Sequence, residues 1–222
     1  MMISLLCPTR GRPDRAMQFL DSVLSTQEHA NEIIFGLQSD DPKLESYPKE
    51  IRSRAVIFEP STTVYYWNHM AKMAKGDLLT LVADDVIMRT QGWDTKFKAA
   101  AHQYPDGMCL ITTQDGRNHG EAPNDLPTPH PTITRKWFET LGYFTFPGLF
   151  HYYADTWNSS IARRLGRQIN LYDVMWEHIK EFDETRQTMR RNKWAELDDL
   201  VFKQCKRHWE TDLALIKSRM NK

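Results

Sequence analysis

The sequence has few of the features that mark secreted, disulfide-stapled or membrane-spanning proteins. It contains only three cysteines, Cys7, Cys109 and Cys205, with no CxxC spacing. Neither a disulfide framework nor a cysteine zinc site is therefore indicated, and a reducing compartment is favoured. No stretch approaches the roughly 20 apolar residues that a membrane helix requires, and the start, MMISLLCPTRGR, lacks the basic, long apolar pattern of a signal peptide. These absences predict a soluble, cytoplasmic protein without a membrane span.

Net charge is also absent, because 29 Lys and Arg balance 29 Asp and Glu. No global electric field therefore draws the protein to nucleic acid or membrane, and any such patch must be local. There is no internal repeat and no low-complexity segment. A length of 222 residues with 41% hydrophobic residues suits one soluble domain with a real core.

The first half of the sequence alternates between short apolar runs and segments of helical spacing. Strands are predicted at Ile3–Cys7, Glu32–Leu37, Ala55–Phe58, Asp77–Ala83 and Met108–Thr112. Helices are predicted after Pro13, over Thr62–Lys75 and from Trp93 to Ala101. This alternation is typical of an α/β fold with a mostly parallel central sheet and helices on both faces.

The second half begins with a Gly- and Pro-rich stretch, residues 114 to 131, which is too long for a simple connection. An aromatic region, a helix from about Thr156 to Leu165 and a strand from Ile169 to Trp176 are predicted to follow. From Glu184 the sequence predicts a C-terminal helical extension, with ten basic residues against six acidic ones. A solvated helix face explains this excess, and a nucleic-acid patch is the alternative.

Polar residues that follow the predicted strands suggest a site for a cation and an anion. Asp84 and Asp85 end a buried strand, where two carboxylates repel each other unless a cation or hydrogen-bond donors compensate. Thr9, Arg10 and Arg12 lie between the first strand and a helix start, where anions bind well. The alternatives are a solvated acidic turn and surface arginines.

Taken together, these segments resemble glycosyltransferases of the GT-A fold, closest to family two, from Ile3 to His178. The resemblance is carried by ISLLCPTRGRP, Asp40 and Asp41, Asn68, VADDV, TRKWFETLGYF, HYYADTW, the helix ending in RRLG, and His178. It implies a nucleotide-sugar-binding half (1–113), an acceptor-side half (114–182) and the helical extension (183–222) within one compact catalytic domain. Small soluble enzymes of this type are similar to ones from bacteriophages and bacteria, so a viral source would imply the host cytoplasm.

The resemblance implies roles for the polar residues. Asp84 would contact the sugar or ribose. The other residues expected near the nucleotide lie in the first loop, after the second strand and in the helix before the Asp pair: Pro8, Thr9, Arg10, Arg12, Asp40, Asp41 and Asn68. Asp85 and His178 would bind Mn²⁺ or Mg²⁺ bridging the diphosphate, and the imidazole favours Mn²⁺ somewhat. Val82 departs from the acidic metal motif of the family.

The resemblance also implies an inverting sugar transfer from a nucleoside-diphosphate sugar, with a UDP-sugar favoured, to an acceptor hydroxyl. Asp155 is the base candidate, with Ala154 in place of a family Glu, and its alternative role is to cap a helix. His130, Tyr153 and Trp157 are expected on the acceptor side, together with His119 and Tyr152.

The acceptor could be a glycan, a protein or a hydroxymethylated base in DNA, and oligomeric state cannot be read from the sequence. Two other functions stay open. A sugar nucleotidyltransferase would need a Gly-rich first loop, but only Gly11 is present there. A catalytically inactive sugar-nucleotide or glycan-binding protein is compatible with the losses at Val82 and Ala154.

Overall fold

The fold was analysed in a computed structural model, which describes residues 1–116, 130–179 and 184–220. The strands are β1 (Ile3–Pro8), β2 (Glu32–Gln38), β3 (Ala55–Phe58), β4 (Leu78–Leu81), β5 (Val86–Met88), β6 (Leu110–Gln114), β7 (Thr132–Thr134) and β8 (Gln168–His178). The helices are α1 (Pro13–Thr26), α2 (Lys49–Arg52), α3 (Thr63–Met73), α4 (Trp93–Ala101), α5 (Arg135–Leu141), α6 (Ala154–Arg164), α7 (Glu184–Arg191), α8 (Trp194–Gln204) and α9 (Lys206–Arg219). A 3₁₀ turn spans Leu44–Ser46.

The sheet is built around β1, which pairs in parallel with both β2 and β4, while β3 extends the parallel set beyond β2. Successive residues of β1 enter opposite cores: Leu5 lies in one apolar cluster and Leu6 in the other. A strand buried on both faces needs a helix layer on each side. The helices α1 and α4 supply one layer, and α3, α5 and α6 supply the other.

The sheet order is β3-β2-β1-β4-β7-β6-β8-β5, and β6 and β8 pair with each other in parallel. The strand β7 runs antiparallel between β4 and β6, and β5 runs antiparallel to β8. The prediction of an α/β fold with helices on both faces is confirmed, and the sheet is mixed. The three-residue strands β5 and β7 were not predicted, because runs so short carry no readable periodicity.

The C-terminal helical extension is confirmed and packs on the body through α9. Ile216 is fully buried in the core that α3, α5 and α6 share, and Asp212 accepts hydrogen bonds from Tyr143 and from the indole N–H of Trp157. Asn192 lies between α7 and α8. Within the described ranges, no helix is long and apolar enough to cross a membrane. Most of the predicted 114–131 loop, including His119, lies outside the described residues, as does Lys222.

Candidate functional site

A cleft of about 590 Å³ opens where β1, β2 and β4 end, as expected for the carboxyl edge of parallel strands. Its walls also include the loop before α6, the end of β8 and part of α7. Nine predicted site residues meet in this cleft: Pro8, Thr9, Arg10, Arg12, Asp85, His130, Tyr153, Asp155 and His178. The structure therefore brings together residues from five separate parts of the sequence.

Asp84 does not face the cleft. Its carboxylate is fully buried, accepts a hydrogen bond from the Thr9 hydroxyl at 2.5 Å and pairs with the Arg12 guanidinium at 2.6 Å. Burial raises the pKa of Asp84 to about 6, although Arg12 and Thr9 oppose the rise. The expected contact with sugar or ribose is thus corrected: Asp84 holds the first loop against the end of β4.

The acids after β2 also make contacts within the protein. Asp41 is buried and accepts hydrogen bonds from the backbone N–H groups of Gly11 (2.7 Å) and Lys43 (2.8 Å), and one from the Tyr47 hydroxyl. Asp40 is exposed and pairs with Arg10, outside the cleft lining. Asp41 therefore fixes the loop that carries Thr9, Arg10 and Arg12. Asp40 pairs with Arg10 of the cleft wall from an exposed position, and its contact with a nucleotide stays a prediction.

Asp85 and His178 form the pair that does face the cleft. His178 Nε2 lies 3.1 Å from Asp85 Oδ2, and the antiparallel pairing of β5 with β8 holds the two residues together. The backbone N–H of Ile179 also donates to the carbonyl of Asp85 at 2.8 Å. Burial raises the pKa of Asp85, but the hydrogen bond and charge of His178, with Arg12, outweigh it and leave the pKa below its ordinary value.

The donor set around Asp85 fits a divalent ion that is shared with a ligand. Asp85 Oδ1 is buried and makes no hydrogen bond to any residue that the structure describes. Such an oxygen is costly to bury unless something binds it. No cluster of three or more His, Cys, Asp or Glu side chains suited to a metal occurs in the described part of the chain. One carboxylate and one imidazole would leave most positions around the ion to phosphate oxygens and water.

Asp155 lies in the first turn of α6 and lines the cleft. Helix α6 begins at Ala154, two residues earlier than predicted, and its N-cap residue is Tyr153. Asp155 Oδ1 accepts a hydrogen bond from the backbone N–H of Thr156 at 2.7 Å. Burial raises the pKa of Asp155 despite this bond, so the carboxyl titrates closer to neutrality, as a general base requires.

Two predicted residues lie in the core instead of the cleft. The Asn68 amide donates to the carbonyl of Thr145 and accepts from the backbone N–H groups of Phe144 and Thr145 at 2.8 and 3.0 Å. Trp157 is fully buried against Phe146, with ring centroids 4.3 Å apart. Asn68 therefore binds the backbone of residues 144 and 145, and Trp157 packs in the core. Their positions were predicted wrongly because helical spacing alone does not show which face of a helix points to the cleft.

Other cleft residues were not selected from the sequence. Gln38 ends β2 in the cleft lining, and its side-chain oxygen accepts from Arg10 at 2.7 Å. Asp115 follows β6, lines the cleft, and its carbonyl accepts from the backbone N–H of His178. The rule that polar residues follow strands could have found both. Met189 and Arg190 of α7 also line the cleft, and no motif pointed to them.

No protein-family model matches the sequence, and no curated protein matches it either. Solved structures do match. The S. aureus TarS fragment 1–349 in complex with UDP has a TM-score of 0.62 at 14% identity, covering 79% of this chain and 59% of that one. The chain thus spans about three fifths of that fragment, and 37% of a longer TarS chain.

Two further matches cover more of the compared proteins. The Pyrobaculum calidifontis mannosyltransferase PcManGT, in complex with GDP-Man and Mn²⁺, has a TM-score of 0.63 at 13% identity, with coverage of 98% and 73%. Glucosyl-3-phosphoglycerate synthase from Mycobacterium tuberculosis, with Mn²⁺, UDP and phosphoglyceric acid, has a TM-score of 0.56 at 15% identity, with coverage of 86% and 75%. These similarities show that the chain has the GT-A fold.

Proposed function

We propose that the protein is a metal-dependent glycosyltransferase that moves a sugar from a nucleoside-diphosphate sugar to an acceptor hydroxyl. The observation that carries the proposal is the buried Oδ1 of Asp85, which has no hydrogen bond from the described residues and lies beside His178 in a cleft that also contains Asp155. A cation site and a base candidate in one cleft are what sugar transfer from a diphosphate requires.

Asp85 and His178 would hold Mn²⁺ or Mg²⁺, which when bound would stabilise the charge that develops on the departing diphosphate. The lowered pKa of Asp85 keeps this carboxylate ionised at neutral pH and ready to bind a cation. Thr9 and Arg12 are held in the cleft wall by Asp84, so the loop is preorganised beside the expected position of the nucleotide.

Asp155 would accept the proton of the acceptor hydroxyl as that oxygen forms its bond to the anomeric carbon. The bond from the anomeric carbon to the diphosphate oxygen breaks at the same time, and its electron pair leaves with the nucleoside diphosphate. Attack opposite the leaving group inverts the anomeric centre. The proton remains on Asp155, whose raised pKa favours this transfer.

The donor is proposed to be a UDP-sugar or a GDP-sugar. UDP or UDP-GlcNAc is bound in the TarS structures, and GDP-Man with Mn²⁺ is bound in PcManGT. The resemblance to family two favours a UDP-sugar.

The acceptor is proposed only as a hydroxyl compound. The sequence hypothesis of a hydroxymethylated DNA base rested on the basic C-terminal stretch. Two acids of that stretch already form ion pairs in the structure, Asp199 with Lys203 at 2.6 Å and Glu210 with Arg164 at 2.9 Å. These pairs reduce the local positive field that DNA binding would need.

The test is turnover of a donor panel, UDP-GlcNAc, UDP-glucose and GDP-mannose, measured as Mn²⁺-dependent release of the nucleoside diphosphate. We expect Asp155→Asn to lower kcat by about 10²- to 10⁴-fold, because the base is lost, while binding of the nucleoside diphosphate is kept. Asp173→Asn, at an exposed position of β8, is the control. No turnover by the wild type with binding intact would favour a sugar-nucleotide-binding protein, and undiminished turnover by Asp155→Asn would exclude Asp155 as the base.

A further inference from the structure

Asp198 of α8 is a fully buried carboxylate that accepts three hydrogen bonds from consecutive backbone N–H groups. Its Oδ1 accepts from Phe150 at 2.7 Å, and its Oδ2 accepts from His151 at 2.9 Å and Tyr152 at 2.7 Å. Consecutive N–H groups that converge in this way form a concave anion site. In this chain a side chain of the C-terminal extension fills that site.

The loop that Asp198 holds forms the wall of the cleft that leads to the base candidate. His151, Tyr152 and Tyr153 line the cleft, and α6 begins directly afterwards, with Asp155 as its second residue. Tyr153 adopts a left-handed backbone conformation, with φ of 61°, which residues other than glycine rarely adopt. Such a conformation persists only where the surroundings impose it.

A second set of contacts from α8 holds the same loop. The Tyr153 hydroxyl donates to Asp199 at 3.0 Å, and its ring stacks on Phe202 with centroids 4.6 Å apart. On the other side of the loop, His151 Nδ1 lies 3.1 Å from the Thr63 hydroxyl at the start of α3. The loop is thus held between α3 and α8, and Asp198 is the residue that binds its backbone N–H groups.

We propose that Asp198 is a positioning residue that sets the acceptor-side loop and, through it, the place of Asp155 in the cleft. This role rests on the proposed glycosyl transfer and extends it, because it makes the C-terminal helices part of the working site. The nucleotide side, built from β1, the first loop and Asp85, makes none of the hydrogen bonds that Asp198 accepts. Loss of Asp198 should therefore affect turnover and leave nucleotide binding intact.

The test compares Asp198→Asn with Glu196→Gln, a control at an exposed position of the same helix. Three quantities are measured: the Kd of UDP with Mn²⁺, the kcat for nucleoside diphosphate release from the donor panel, and backbone hydrogen exchange. For Asp198→Asn we expect a Kd within about twofold of the wild type and a kcat lowered by about 10- to 100-fold, as for a misplaced catalytic group. Exchange should quicken in the peptide covering 144–156 and stay unchanged in that covering 3–12.

An unchanged kcat, unchanged exchange over 144–156, or an equal loss of UDP binding and kcat would overturn the proposal. If Asp198→Asn does not fold, Asp198→Glu is tested instead, because it keeps the charge but shifts the carboxylate by one methylene. We expect it to lower kcat by a smaller factor and to leave the Kd of UDP unchanged. A wild type that binds UDP but turns over no donor would refute the proposed transfer, and the catalytic role of Asp198 with it. Exchange would still report separately whether Asp198 holds the loop.

Discussion

Asp84 and Asp85 are adjacent in the chain but have opposite surroundings. One oxygen of Asp84 accepts a hydrogen bond from Thr9 and the other forms an ion pair with Arg12, whereas Oδ1 of Asp85 makes no hydrogen bond to any described residue. The chain turns between the end of β4 and the start of β5, so the two side chains point to different sides. The family resemblance predicted Asp85 as the metal ligand, and the structure adds that Asp85 lines the cleft while Asp84 is enclosed by contacts within the protein.

Asp94 is a buried acid at the start of α4 that binds the segment before β2 and Lys98, and its ionisation is expected to make the stability of the fold depend on pH. Burial alone would raise its pKa, but hydrogen bonds from the backbone N–H of Glu28, from Lys98 and from His29 lower the pKa to about 2. An unfolded Asp has a pKa of about 3.9. Because the folded pKa is lower, this stabilisation is present above about pH 4 and is lost as the pH falls towards about 2.

We expect Asp94→Asn to lower the free energy of unfolding by about 2 kcal/mol at pH 7, and the difference from the wild type to shrink below about pH 4. Urea unfolding at pH 7, 4 and 3 measures this. Asp21→Asn, at an exposed position of α1, is the control. A difference that stays constant across these pH values would show that Asp94 does not act through its charge.

At the scale of elements, a buried carboxylate of α9 adds hydrogen bonds to the apolar contacts that dock this helix. Asp212 Oδ2 accepts from the Tyr143 hydroxyl and from the Trp157 indole N–H, the latter at 2.8 Å. Burial raises the pKa of Asp212, although these two hydrogen bonds oppose the rise. Removing the acceptor would leave a hydroxyl and an indole N–H unsatisfied in the core.

Asp212→Leu should therefore destabilise the fold by about 2 to 4 kcal/mol, since each unsatisfied buried donor costs about 1 to 3 kcal/mol. Glu210→Gln is the matched control on the same helix: it breaks an exposed ion pair with Arg164 and should cost less than about 1 kcal/mol. Thermal or urea unfolding compares the two variants. Equal losses would mean that α9 is not held by this carboxylate.

The elements that could be predicted are those whose buried residues form a recognisable apolar pattern in the sequence. The strands β1, β2 and β3 and the helices α1, α3 and α4 were found because apolar residues recur at strand or helix spacing. The short strand β5 is defined by its pairing with β8, and β7 by its pairing with β4 and β6, so neither has a signal of its own in the sequence. His178 was expected just beyond a strand but lies at the end of β8, since pairing with Val86 extends that strand.

Within the site, the positions of residues near the ends of strands and helices were predictable, and the directions of their side chains were not. Asp85, Asp155 and His178 were placed in the cleft from sequence alone. Asp40, Asp41 and the buried member of the Asp84–Asp85 pair instead form contacts within the protein, which depend on a partner far along the chain. Asp198 could not be foreseen, because its partners are backbone N–H groups that carry no sequence signature.

For the whole molecule, two apolar cores on either side of a mixed sheet hold the loops that form one cleft. The GT-A body supplies the wall proposed to bind the nucleotide, and the C-terminal helices complete the opposite wall through Met189, Arg190 and the loop held by Asp198. The formal net charge is zero, so under the proposed function the attraction for an anionic diphosphate would come from local groups such as Arg10, Arg12 and the cation.

The most direct test of the central claim is thermal unfolding with UDP, GDP, ADP and TDP, each with and without Mn²⁺. We predict that one of them raises the unfolding temperature by about 5 to 10 °C at a hundredfold excess over Kd, only when Mn²⁺ is present. Asp85→Asn and His178→Ala should lose this shift, and Asp173→Asn should keep it. A shift of equal size without Mn²⁺, or an undiminished shift in Asp85→Asn, would contradict the assignment of Asp85 and His178 as the cation site.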